Sequence, residues 1–131
     1  MIGIDTNILV RYLTGDDAIQ SVKASEIIES RLTREAPGFI SVVAMAELAW
    51  VLERAYGFTD HEVAAAIERI LQAGVLVVEN AYEVFTAMIA LRDGYGSFAD
   101  TLIGCLGTRA GCSRTLTFDR KASRIPGFEL A

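Results

Sequence analysis

A chain of 131 residues has the length of one domain with room for a single core, and no apolar run in it is long enough to cross a bilayer. A formal net charge of −5 excludes a nucleic-acid binder that works through overall positive charge. The hydrophobic share of 52% lies slightly above the usual value and points to apolar surface covered by a partner.

In chain order, Ile2-Gly3-Ile4 is a short apolar strand that ends on Asp5 and turns at once, through Thr6-Asn7, into a helix opening with Ile8-Leu9-Val10. An acid in that place lies at the carboxyl edge of a sheet, where open α/β folds bind ligands; Asp5 or Thr6 serves equally well as the helix N-cap. Thr14-Gly15-Asp16-Asp17 is a turn with a capping acid. From Ala18 to about Arg34 the apolar residues keep helical spacing until Pro37-Gly38 stops the helix. Phe39-Ile40-Ser41 is a strand, with Ser41 capping a helix from Val42 to about Tyr56 that Gly57 ends. Thr59-Asp60-His61-Glu62 has the capping-box pattern for a helix running to Gln72, with Gly74 as its stop. Leu76-Val77-Val78 has the β-branched apolar pattern of a buried parallel strand. Asn80 with Glu83, and Ser97 with Asp100, open two further helices, ending near Gly94 and Ala110. Thr115-Leu116-Thr117 is a strand reaching almost to Asp119, and Phe128-Glu129-Leu130 a last edge strand. Strands alternating with helices give an α/β fold in three layers around a small, mostly parallel central sheet. No linker divides residues 1–131, so a single domain is expected.

The N-terminus lacks the basic and extended apolar stretches of a signal peptide. Cys105 and Cys112 form neither a disulfide framework nor a Cys/His metal motif. The expected location is cytoplasmic, with no membrane attachment. Charge is unevenly spread: residues 109–124 carry Arg109, Arg114, Arg120, Lys121 and Arg124 against Asp119 alone, whereas the first 108 residues carry 7 basic and 15 acidic groups. A basic rim beside acids suits a polyanionic substrate reached through metal; a solvated polar stretch accounts for the charge equally.

Four acids stand out. Glu47 is the only charged residue in FISVVAMAELAWVL, Phe39 to Leu52, and a helix apolar nearly all round is buried. Burying Glu costs on the order of several kcal/mol without a compensating cation or proton, so a pocket acid is expected, against escape to a solvent edge or pairing with Arg54. Asp100 lies in the first turn of its helix, a place that capping and the helix dipole also favour. Asp119 follows its strand as Asp5 follows the first, and is also a good turn residue. Carboxylates gathered at one sheet edge would raise one another's pKa values. A hard divalent cation such as Mg²⁺ or Mn²⁺ removes that conflict and supports hydrolysis without a nucleophilic triad.

IGIDTNILVRYL at the start, MAEL around Glu47, SFADTLIG around Asp100 and LTFD ending at Asp119 resemble the PIN-domain ribonucleases, and among them the VapC-type toxins of toxin–antitoxin pairs. The resemblance spans nearly the whole chain. It implies a PIN-like parallel sheet of order 3-2-1-4-5 flanked by helices, with the first and fourth strands as neighbours. It implies a metal-dependent endoribonuclease that hydrolyses RNA phosphodiesters with metal-activated water, a cognate antitoxin and a homodimer. By matching position, Asp5, Glu47, Asp100 and Asp119 resemble the acidic quartet that binds Mg²⁺ or Mn²⁺, with Asp5 and Asp100 as the best matches to direct ligands. Asn7 matches the polar residue that orients the first acid and Thr117 the hydroxyl before the last. Arg120 and Lys121 are expected on the substrate rim.

Alternatives from other classes are a haloacid-dehalogenase-like phosphatase, a receiver-like domain and an inactive interaction module. The first needs a second Asp where Asn7 stands, and the receiver lacks a clear late-strand lysine. His61-Glu62 lacks the second ligand of a zinc-protease motif, since position 65 is Ala. Gly94-Tyr95-Gly96 follows a helix and reads as a helix–helix turn, not a dinucleotide loop.

Overall fold

A computed structural model describes residues 1–131 as two compact units, Met1–Ala81 and Tyr82–Ala131. In the first, β1 (Ile2–Gly3), β2 (Gly38–Ile40) and β3 (Leu76–Val78) form a parallel sheet in the order β1-β2-β3. Around it stand α1 (Thr6–Thr14), α2 (Ala18–Glu26), α3 (Val42–Tyr56) and α4 (Asp60–Gln72). Leu9, Ile40, Met45, Leu48, Leu52 and Ile67 are fully buried at its centre, each contributing about 1.5–3 kcal/mol by leaving water.

Local chemistry sets the helix ends. Asp5, Asp17, Ser41 and Thr59 are extended N-caps whose side chains accept the first free N–H groups of α1 to α4. Both arms of the Thr59/Glu62 capping box are made. Gly57, at φ 67°, closes α3 in the left-handed region that favours glycine. Arg11, Thr14, Asp16 and Tyr56 then tie the end of α1 to the end of α3. Tyr56 Oη donates to Asp16 Oδ2 at 2.6 Å and Thr14 Oγ1 to Asp16 Oδ1 at 2.9 Å. Arg11 Nη1 pairs with the same carboxylate at 3.1 Å. The hydrogen bond from Tyr56, then that from Thr14, with the Arg11 charge added, hold the Asp16 carboxyl below its usual range.

Three expectations in this unit are corrected. The helix from Ala18 does not run regularly to Arg34: it widens into a π turn over Ile27–Arg31 and stops where Leu32 becomes extended, burying its side chain. Gly38, read as a helix stop, is the first residue of the central strand. A Cβ there would stand 2.7 Å from Ile4 Cγ1 and 2.9 Å from Leu32 Cδ1, so the packing of those side chains requires glycine. β3 is buried on one face only, because Val77 is 43% exposed between buried Leu76 and Val78.

The second unit contains most of α5 (Ala81–Asp93), then α6 (Phe98–Arg109), β4 (Thr115–Thr117) and β5 (Phe128–Leu130). Val84, Ala87, Met88 and Leu91 bury one stripe of α5, at the spacing of a helix face. Gly94, at φ 79°, turns the chain between α5 and α6, and Ser97 Oγ caps α6 by accepting from Asp100 N at 3.1 Å. β4 and β5 pair in parallel, with Thr115 opposite Phe128 and Thr117 opposite Leu130. α6 approaches β5 closely at Gly104, where a Cβ would lie 2.5 Å from Phe128 Cε1. The α/β class is as expected, with every strand pair parallel. The ladders form a three-stranded and a two-stranded sheet rather than one sheet of five. No helix is long and apolar enough to cross a membrane.

Candidate functional site

The carboxyl edge of the first sheet carries Asp5 after β1, Ser41 after β2 and Glu79 after β3. Asp5 is exposed, and its Oδ1 accepts from Thr6 N at 2.7 Å. Asn7 is also exposed, so the hydrogen bond that holds Asp5 comes from the backbone beside it. Glu79 was not expected at this edge. Its Oε1 accepts from Val42 N at 2.9 Å, placing a second acceptor beside Ser41 at the positive end of α3. An acid just past a strand was the signal the sequence contained; its place at the start of α3 arises only from packing.

Glu47 is exposed, not the desolvated pocket acid expected. The reason lies in how α3 packs. Ala44, Met45, Leu48, Ala49 and Leu52 take the core side, leaving Val43, Glu47 and Trp50 on a stripe open to solvent, where Val43 is 73% and Trp50 59% exposed. Arg54 lies over the Trp50 ring at 5.9 Å instead of pairing with Glu47. An apolar composition all round a helix therefore did not mean burial all round it.

In the second unit, Asp100 is half-buried in the first turn of α6. Asp119 is exposed, and its Oδ1 accepts from Lys121 N at 2.8 Å and from Ala122 N at 3.3 Å. Thr117 Oγ1 in turn accepts from Asp119 N at 3.0 Å, so the strand-end hydroxyl fixes the backbone of the acid that follows it. Arg120 and Lys121 are exposed beside it. Asp119 is thus a turn residue as well as a strand-end acid, and the two readings of the sequence are compatible.

None of the four acids takes part in a salt bridge. Neither unit gathers three or more His, Cys, Asp or Glu side chains into a group that could hold a metal ion. Carboxylates without a protein cation are the donor type that Mg²⁺ and Mn²⁺ take, and Mg²⁺ is commonly held through one or two carboxylates with retained waters. Taken one by one, Asp5, Glu47, Asp100 and Asp119 are donors of the type a hard divalent ion takes.

The second unit also holds a cleft of about 710 Å³ between α5, α6 and the Ile125-Pro126 segment. Glu83, read from sequence as a helix-opening residue, lines it at 5% exposure. Its Oε1 accepts from Arg109 Nη1 at 2.9 Å, while its Oε2 is buried without a partner. Thr101, at 6% exposure, likewise has a buried hydroxyl with no partner. Burial, and after it the Glu83 charge, push the Cys105 thiol up. His61 is exposed in the first turn of α4 and Cys112 is exposed.

The PIN domain family profile matches residues 2–127, a span that contains all four acids and their motifs. No curated protein and no solved structure matches the chain. With nearly its whole length matched, the chain belongs to the PIN-domain family, whose members are in general metal-dependent nucleases.

Proposed function

We propose that the chain is an endoribonuclease dependent on Mg²⁺ or Mn²⁺ and acts as the toxin of a toxin–antitoxin pair, with residues 1–131 working as one domain. The match of the PIN profile across residues 2–127 supports the metal-dependent nuclease at the centre of this reading, over the phosphatase and receiver alternatives. Asp5 and Asp100 are the proposed direct metal ligands, and Glu47 and Asp119 the supporting acids. When bound, the ion supplies Lewis acidity to the phosphodiester and lowers the pKa of water. The chain's own part is to hold the acids. Asp5 is fixed by Thr6 N, and Asp119 by Lys121 N and Ala122 N with its backbone held by Thr117. Each of these two carboxylates keeps its second oxygen for the ion. Asn7 is the proposed polar companion of Asp5. Arg120 and Lys121, both exposed, supply charge toward phosphates as the substrate rim.

Exposed apolar side chains support the protein partners. Ile19 and Val22 on α2, Val43 and Trp50 on α3, and Phe118 all face solvent. A homodimer and an inhibitory antitoxin segment would cover such surface. The test is cleavage of single-stranded RNA by purified protein with Mg²⁺, with Mn²⁺ and with EDTA. Cleavage in either metal and none in EDTA is expected; cleavage that persists in EDTA overturns the metal mechanism, and none under any condition overturns the nuclease. Growth arrest on expression, relieved by the product of an adjoining short reading frame, tests the toxin role. Sedimentation across micromolar concentrations tests the dimer.

A further inference from the structure

We propose that the cleft between α5 and α6 is a subsite for one unpaired nucleobase, held by Glu83 Oε2 and the Thr101 hydroxyl. The inference rests on the RNA-cleaving reading given above and names where that substrate is read. An unsatisfied acceptor and an unsatisfied hydroxyl, both more than nine-tenths buried, are costly unless something supplies their partners. Arg109 already balances the Glu83 charge at 2.9 Å, so the cleft calls for a neutral N–H donor and not for a cation. The remaining wall is largely apolar, with Tyr82 and Tyr95 at the cleft and well exposed. A flat ring that carries N–H donors and acceptors along one edge, and stacks on aromatic side chains, is a nucleobase.

Two placements favour RNA over a protein side chain. Thr101 follows Asp100 in the first turn of α6, so the cleft lies one residue along the chain from a proposed metal ligand. Arg120, Lys121 and Arg124 belong to the same unit, have no acid in a salt bridge with them, and are cations available to flanking phosphates. The Cys105 thiol lines the cleft without a role as nucleophile, since it is held in its neutral form.

The experiment measures binding of four single-stranded homo-oligomers, of A, C, G and U, to the full chain in EDTA, where metal-dependent cleavage is off. Wild type is expected to prefer one base by about tenfold, the scale of one satisfied buried hydrogen bond. Thr101→Val keeps the shape without the hydroxyl, and Thr108→Trp fills the cleft from α6. Each should lower the preference to about threefold or less while weak binding to all four oligomers persists, with circular dichroism showing both variants folded. Bound oligomer should also slow alkylation of Cys105 while exposed Cys112 stays reactive. Equal binding of all four by wild type overturns the proposal, as does a preference that survives in both variants. So does binding of an Arg- or Lys-bearing peptide alone through the cleft. RNA cleavage by wild type with Mg²⁺ is scored separately: its absence overturns the nuclease reading, whereas cleavage with unaltered base preference in the variants overturns only the base subsite.

Discussion

In Met1–Ala81 all four helices start on a side chain that accepts their free N–H groups, and six large side chains are sealed from solvent behind them. Tyr82–Ala131 buries Val84, Met88, Phe98 and Leu102, and leaves Glu83 Oε2 and the Thr101 hydroxyl buried without partners around an open cleft. The first unit has one such orphan, the Ser21 hydroxyl. The contrast separates two uses of polar chemistry. In the first unit it ends helices and fixes register. In the second, two polar groups are held out of water with no partner in the protein, a cost that the proposed base would offset.

The sharpest way to break this comparison is to remove one acid from each unit. Asp5→Asn and Asp100→Asn should each lower RNA cleavage by about 10²–10³-fold, the scale for losing one group that stabilises transition-state charge. Asn at position 5 still caps α1, and Asp100 is not the cap of α6, so melting should barely move. If only one variant loses activity, the two units do not contribute acids to the same chemistry.

Core truncation comes next. Leu48→Ala in α3 and Met88→Ala in α5 remove fully buried side chains, at a cost of about 2–5 kcal/mol each. If residues 1–131 act as one domain, each variant should lower a single shared melting transition. Hydrogen exchange that rises only in the mutated unit would show instead that the units unfold separately.

Arg109→Ala should cost about 1–3 kcal/mol, because it leaves the buried Glu83 carboxylate with no partner at all; the exposure of Arg109 keeps the value at the lower end. The Glu83 charge also helps hold the Cys105 thiol up. A raised thiol gives stability that is present below the unfolded thiol's pKa and lost as pH rises through the folded one. Glu83→Gln should therefore move the pH midpoint for Cys105 alkylation downward. An unmoved midpoint would remove Glu83 as a cause.

The smallest effect belongs to Tyr56→Phe, which deletes the 2.6 Å hydrogen bond to Asp16 at the surface of the first unit. Asp16 is held low, so its contribution is present above the unfolded carboxylate's pKa and lost as pH falls through the folded one. The variant should melt more like wild type in acid than at neutral pH. A gap that stays constant with pH would mean that the Tyr56 hydroxyl acts by packing.

The helix starts were legible from the residues themselves. Ser41, Thr59 with Glu62, and Ser97 act within a few positions of where they stand, and capping depends on backbone geometry over one turn. The parallel strands Phe39-Ile40, Leu76–Val78 and Thr115–Thr117 were legible from pattern, as was the family from its ordered acids. What the sequence left undecided depends on which face meets which neighbour. Glu47 looked buried because its helix is apolar all round, yet α3 packs one side only and the acid faces solvent beside Trp50. Gly38 looked like a helix stop, yet it begins a strand against which the side chain of Ile4, far back in the sequence, packs too closely for a Cβ. Glu83 looked like half of a capping pair, yet Arg109, 26 residues away, claims one of its oxygens and the cleft strands the other. Local hydrogen bonding is fixed by neighbours along the chain, whereas burial and the pairing of distant charges exist only once the elements have packed.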